Sequence, residues 1–392
     1  MGKRDDSGRE FSLVRGGPSF HVARALRLSA ESGPQTTRAC LVAAATAWLP
    51  LLVLAIPQGV AYGDRVTIPL LHDLTTFARH WVAIPLLIAA EALIDQRLAV
   101  AVRAFTSRGL VGPAALPDLD RALETVRRGR DAWLPELLML GAAFAWGWIR
   151  LGGFGMNDVT TWAALGSPPQ PTWAGLWFAF VSLPLFAFLI LRWGWRLLLW
   201  TGFLWRVSRL KLDLLPAHPD GAGGIGFVGV AHEGFNMLVM ALAVVFSAGA
   251  AQWIVYGGLA PEGLKAPIAA FVILAWLMFQ GPVLVFLPAL FAAKLRGIRQ
   301  YDELAQSYTR SFDDKWITPE RKSEELLGSS DIQSLADLGG SYERIRRMRP
   351  VPIDIRQLVS LVLAAVLPMV PLLATAIPLQ VILSKLLAIL GR

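Results

Sequence analysis

Seven apolar runs, near 40–60, 80–96, 132–149, 173–191, 234–256, 267–293 and 358–379, constrain this chain more than any other feature. A helix rising about 1.5 Å per residue needs about 20 residues to cross roughly 30 Å of hydrocarbon, and runs of this length match that requirement. At 55% hydrophobic and only 17% charged, the 392 residues are too apolar for an ordinary soluble domain. No series of alternating ten-residue segments divides the chain, which argues against a barrel. The expected fold class is all-α: a polytopic membrane helix bundle of about seven spans with a small cytoplasmic helical subdomain.

Charge sets the expected topology, because Lys and Arg are retained on the cytoplasmic side during insertion. Seven basic residues precede Cys40, seven lie in 95–131, five in 192–232 and twelve in 294–356, 31 together. The intervening loops hold only Arg65, Arg79, Arg150 and Lys265. The split predicts a bacterial inner-membrane protein with a cytoplasmic N-terminus. The net charge of +8 then reflects insertion and anionic lipid rather than nucleic acid. The single cysteine, Cys40, excludes an internal disulfide and a cysteine-based metal cluster, and no cofactor is expected.

Four regions follow. Residues 1–39 form a cytoplasmic segment whose first 18 residues are expected to be disordered; Phe20, Val22, Ala23, Leu26 and Leu28 then mark a short amphipathic helix. Residues 40–293 are the membrane domain, with six spans and a cytoplasmic Gly-rich loop at 215–232. Residues 294–356 form a cytoplasmic helical segment. Within it a helix opening at Ser330 and Gln333 is expected to run out at Gly339-Gly340, and Asp354 and Gln357 repeat the capping spacing. Residues 357–392 combine a span kinked at Pro368, Pro371 and Pro378 with an amphipathic tail, Leu379 to Leu390, or else form a hairpin. Small residues at Gly141 and Ala145, and at Ala243, Ser247 and Ala251, mark helix contacts.

The stretch Leu215-Pro-Ala-His-Pro-Asp-Gly-Ala-Gly-Gly-Ile-Gly-Phe-Val-Gly229 concentrates the chain's unusual residues. Gly221, Gly223 and Gly226 have dinucleotide-fingerprint spacing, but a membrane helix and Pro216 precede them, so that fold does not apply. Two readings stay open: Gly221, Gly223, Gly224 and Gly226 turn backbone N–H groups toward an anion, or they permit a tight chain reversal. His218, Asp220, His232 and Glu233 supply nitrogen and oxygen donors for a metal, although their spacing is no known ligand pattern. The alternative is that Asp220 caps the turn and His232 with Glu233 caps the fifth span.

Charged residues within spans are functional candidates by default, because an ionised group in hydrocarbon costs several kcal/mol unless it is paired or wet. Topology places Glu91, Glu136, Arg192 and Arg196 at a similar depth, forming either an active network or a static salt bridge. Gln280-Gly281-Pro282 breaks the sixth span near its middle, where freed backbone groups line a cavity or serve packing.

Two segments, LDLLPAHPDGAGGIGFVG from Leu212 and GSSDIQSLADLGGSYERIRRMRPVP from Gly328, resemble a family of bacterial multi-pass inner-membrane proteins to which no activity is attached. The resemblance covers roughly the C-terminal half. It implies a bacterial setting and no site residues. No motif for covalent catalysis or ATP hydrolysis is present, so an enzyme is the lesser reading. The leading expectation is a channel or carrier for an ion or small anion, with Arg192, Arg196, Glu91, Glu136 and Gln280 as binding candidates beside the glycines. The alternatives are a metal-dependent intramembrane enzyme acting on a lipid-linked or phosphorylated substrate, and a non-catalytic scaffold or sensor. The expected partners are the bilayer and a small ion or anion, with no nucleic acid; a homo-oligomer stays open.

Overall fold

A backbone in hydrocarbon must satisfy its own N–H and C=O groups, and the apolar runs accordingly fold as helices. The computed structural model describes residues 11–28, 33–152, 160–317 and 330–372. Its helices are α1 (Pro18–Ala25), α2 (Gly33–Ala55), α3 (Leu74–Ser107), α4 (Leu116–Asp131), α5 (Trp133–Gly152), α6 (Trp173–Ser208), α7 (Gly226–Gly257), α8 (Lys265–Gln280), α9 (Leu287–Phe312), α10 (Ser330–Arg346) and α11 (Ile355–Val366). Six helical segments are long and apolar enough to cross a membrane. The count is seven if the pair Pro113–Asp131 and Trp133–Leu151, bent by 44°, is one span. The protein is an all-α, multi-pass membrane bundle.

Local chemistry fixes where these helices begin and end. The Asp73 carboxylate accepts from Thr76 N at 2.9 Å and starts α3, and Thr172 Oγ1 accepts from Gly175 N at 2.9 Å and starts α6. Gly258, at φ 66°, stops α7 in the left-handed conformation that glycine adopts without penalty. The capping box read from Asp354 and Gln357 is formed at the start of α11. Between α8 and α9, residues Gly281–Phe286 tighten into a 3₁₀ turn, the break signalled by Gly281-Pro282.

Helices α3 and α6 are the inner pair. The α3 helix packs on α2 and α7, while α6 packs on α4, α5 and the 3₁₀ turn after α8. Phe105, Trp200, Phe203, Phe235 and Phe286 fill the space between them and are fully buried. Each of the two inner helices contains a π-helical turn, Ala78–Ala83 in α3 and Phe178–Ser182 in α6. The extra residue in such a turn opens the backbone ladder and re-aims the side chains around it.

The two ends of the bundle differ. At one end, Trp48, Leu51, Val60, Val66, Leu70, Trp162 and Phe178 form a second apolar cluster under the loops, and β1 (Ala164–Leu165) pairs antiparallel with β2 (Gln170–Pro171). At the other, basic end, Val111 bridges to Leu212 and the Gly-rich loop packs beside the turn that follows α10.

Two expectations change here. Residues 11–17 are packed, not loose: Phe11, Leu13 and Val14 are buried against the bundle, because Asp95 and Arg130 take up their polar backbone. The α10 helix also runs through Gly339-Gly340 to Arg346. A helical glycine costs about 1 kcal/mol relative to alanine. Burial of Ile345 and Met348 beyond the pair, with Lys294 Nζ donating to Met348 O at 2.8 Å, offsets that cost. The expected amphipathic tail and Pro378 lie outside the described residues.

Candidate functional site

The polar centre of the bundle joins α3 to α6 toward the basic end. Arg196 Nη1 donates to Glu91 Oε1 at 2.8 Å, and Arg192 Nη1 donates to the same oxygen at 3.3 Å. Glu91 is 8% exposed, Arg192 9% and Arg196 3%. The two arginines sit four residues apart, one turn of α6, so their side chains share the face that meets α3. The Arg196 guanidinium lies 4.9 Å from the Trp193 ring centroid, and its Nη2 is buried with no hydrogen-bond partner among the described residues. Two cations thus face one anion, and one strong donor is left open. Glu136 on α5 is within electrostatic reach of Arg192. Its carboxylate, however, accepts from Ser19 N at 2.7 Å and Ser19 Oγ at 2.8 Å and so holds the start of α1.

One turn beyond Glu91, Asp95 anchors the N-terminal segment over this centre. Asp95 accepts from Leu13 N at 2.7 Å, Val14 N at 3.2 Å and Ser12 Oγ at 2.8 and 2.9 Å, while Arg130 Nη1 donates to Ser12 O at 2.7 Å. Phe11 reaches in against Trp200 and Phe203, with ring centroids 6.0 and 5.9 Å apart. Asp95 escaped the sequence reading although it lies four residues after Glu91, the spacing that aligns side chains on one helix face.

The Gly-rich loop is a separate unit. Gly221, Gly223 and Gly224 take φ values of 62°, 64° and 97°, which only glycine adopts readily. That path turns the N–H groups of Ala222, Gly224 and Gly226 inward, and all three donate to Asp220 at 2.8, 3.1 and 2.9 Å. Burial raises the Asp220 carboxyl, but the amides of Ala222, Gly226 and Gly224, with His218, outweigh it and hold the group below the usual carboxylate range. Arg349 clamps the loop from outside, its Nη2 donating to Asp220 O at 2.7 Å and its N to Gly221 O at 2.8 Å. Gly223 packs on Met348, Leu214 and Leu290.

The four metal candidates are dispersed. His218 contacts Asp220 at 2.9 Å, and Arg97 is 3.5 Å from Glu233. His232 is fully buried: Trp200 Nε1 donates to its Nε2 at 2.8 Å and its Nδ1 donates to Phe279 O at 2.7 Å, so both ring nitrogens are used. No group of three His, Cys, Asp or Glu side chains among the described residues is arranged to hold a metal ion. Gln280, adjacent to Phe279 at the helix break, is fully buried, with neither amide atom hydrogen-bonded among the described residues.

No protein-family model, curated protein or solved structure matches the chain.

Proposed function

We propose that this protein is a carrier or channel for a small anion, sited in a bacterial inner membrane with its basic end toward the cytoplasm. The observation that carries the proposal is the excess of cation at the α3–α6 centre: Arg192 and Arg196 share Glu91, and Arg196 Nη2 has no hydrogen-bond partner among the described residues. A guanidinium is planar, permanently charged and shaped for oxyanions, and in a water-poor site an unpaired donor of this kind attracts a negative ligand. Gln280 beside the 3₁₀ turn supplies a second polar station, neutral and able both to donate and to accept. Broken helices at this depth are a recurrent feature of transport sites. Burial of the arginines and of the packed segment Phe11–Val14 supports the carrier form of this reading, in which the site is closed to solvent between two open states.

The test is anion flux in liposomes reconstituted with the full chain. Chloride, iodide, phosphate and small carboxylates are compared, and Arg196→Gln is expected to reduce flux of the transported anion at least about tenfold, the effect of losing one charge-assisted contact. Glu91→Gln, which releases both arginines, is expected to change selectivity among the anions. Wild-type protein that passes none of them refutes the reading.

A further inference from the structure

Helices α3 and α6 both run toward the basic end, so Asp95 lies one turn beyond Glu91 on that side and Trp200 one turn beyond Arg196, each about 6 Å farther on. Residues 11–15 cross the seam between these two landmarks. Leu13 N and Val14 N donate to Asp95, and the Phe11 ring centroid lies 6.0 Å from that of Trp200. Phe11, Leu13 and Val14 are buried at the crossing. A solute moving along this seam between the basic end and Arg196 meets the segment first.

The segment is built as an arm on a pivot. It holds its own shape, because Ser12 Oγ accepts from Arg15 N at 2.8 Å and from Val14 N at 3.3 Å, closing a turn within the segment. Its polar attachment falls mainly on two side chains, Asp95, which takes the hydrogen bonds of Ser12, Leu13 and Val14, and Arg130, which donates to Ser12 O. Arg15 adds a charge contact to Asp95 at 3.7 Å from a side chain 59% exposed. Water replaces such bonds when an arm lifts, so their net loss is small. The pivot is Gly17, at φ 82°, followed directly by α1, whose start Glu136 holds through Ser19 N and Oγ. An added Cβ at Gly17 would meet Glu136 Oε1 at 2.8 Å and Arg130 O at 2.9 Å, so only glycine fits where the arm leaves the pivot.

The opposite end is closed by loops and turns within the spans' own connections. There Trp162 Nε1 donates to Asp73 at 2.9 Å, and the Arg79 guanidinium, in the π-helical turn of α3, lies 5.6 Å from the Phe178 ring centroid and 5.4 Å from that of Phe186. On the basic side, lifting the arm gives up the packing of three apolar side chains. It also lets water reach two arginines that share one carboxylate, and hydration of those cations offsets the loss.

We infer that residues 11–15 are a removable lid on the basic mouth of the α3–α6 centre, latched by Asp95 and Arg130 and pivoting at Gly16-Gly17. The inference rests on the transport reading for what passes beneath the lid; the opening itself does not depend on it.

The experiment places a single thiol on the arm, Val14→Cys in a Cys40→Ser background of the full chain. Its labelling by a hydrophilic maleimide in detergent is measured beside flux of chloride, iodide, phosphate and acetate in liposomes. Arg130→Gln and Asp95→Ala each remove one latch and are expected to speed labelling at least about tenfold, the effect of losing a charge-assisted hydrogen bond. Initial flux should rise in the same order. The two latches sit on different helices, so the test survives if one variant misfolds. Arg128→Gln, whose side chain is exposed on α4, should leave both readouts unchanged. A Leu51→Cys reporter, fully buried at the opposite end, should stay protected in the same latch variants. Equal labelling of Val14→Cys with and without the latch residues overturns the lid. Equal acceleration at Leu51→Cys also overturns it, because the bundle as a whole has then loosened. Faster labelling with unchanged flux, in a protein that transports, overturns it too, since the arm then lies off the path. Absence of flux from every variant removes the transport reading, and labelling alone then decides the lid.

Discussion

Asp220 and Glu91 are both carboxylates surrounded by donors, yet their surroundings balance differently. Asp220 receives three backbone N–H groups at 2.8–3.1 Å from a loop that supplies both the donors and the acceptor. Glu91 receives two guanidinium groups from another helix, and those arginines bring more donors than it can accept. The Gly-rich loop therefore spends its anion-binding capacity on its own side chain, as a rigid chain reversal does. The helix-borne arginines keep capacity in reserve. A sequence pattern suited to anions is not itself an anion site; what matters is whether the chain already supplies the anion.

The largest effect that sharpens this contrast is expected at Glu91. Glu91→Gln removes the carboxylate that pairs with both buried cations, and breaking a buried ion pair from one side costs about 3–5 kcal/mol. It should lower the unfolding midpoint in detergent sharply, with an added small anion recovering part of the loss. A midpoint within a degree of wild type would mean that the arginines are neutralised from elsewhere. Next comes the segment that covers this centre. Leu13 has no exposed surface, so Leu13→Asp places a charge beside Asp95 and should cost about 3 kcal/mol. It should also expose residues 11–17 to limited proteolysis, and protection equal to wild type would show that the packing does not depend on Leu13.

The loop should respond less, and in a pH-dependent way. Asp220→Ala leaves three inward N–H groups without their acceptor and should cost about 2–3 kcal/mol. Because the folded carboxyl is held below its ordinary value, near 4 when unfolded, its stabilising contribution is complete above that value. The contribution fades as pH falls through the lower folded value. Cleavage by an acid protease within 214–228 should therefore rise only in strongly acidic buffer for wild type, and across the whole acidic range for Asp220→Asn. Identical pH profiles would show that the carboxylate does not hold the loop.

The spans, the break at Gly281-Pro282 and the capping box at Asp354 were legible because hydropathy, proline and short polar spacings act locally. Glu91, Arg192 and Arg196 were legible as a group because charge in a span is rare and topology sets depth. Partnering was not legible. That Asp220 rather than a ligand fills the nest depends on three φ values, and that Glu136 turns to Ser19 depends on where the start of α1 packs. The helix contact expected at Gly141 also moved: a Cβ added at Gly141 would meet no neighbouring element within 4 Å, whereas one added at Gly147 would run into the Ala179 carbonyl. Both glycines sit in apolar surroundings, and only the rotation of α5 against the π-helical turn of α6 distinguishes them. Arg79, at the edge of a span, read as a loop residue until that same turn drew it inward.

The smallest effect belongs to His218, and it tests whether the loop is as self-sufficient as the contrast requires. Its Nδ1 lies 2.9 Å from Asp220 Oδ1, but the pair is partly exposed, with His218 at 32% and Asp220 at 21% side-chain accessibility. Solvent screens such a contact to about 1 kcal/mol or less. The three backbone donors stay in place without it, so His218→Ala should shift stability by less than about 1 kcal/mol and leave the acid-protease profile of the loop almost unchanged. A loss comparable to that of Asp220→Ala would reverse the argument. The imidazole, and not the glycine backbone, would then be the donor that fixes the carboxylate, and the loop's N–H groups would return as candidates for an external anion.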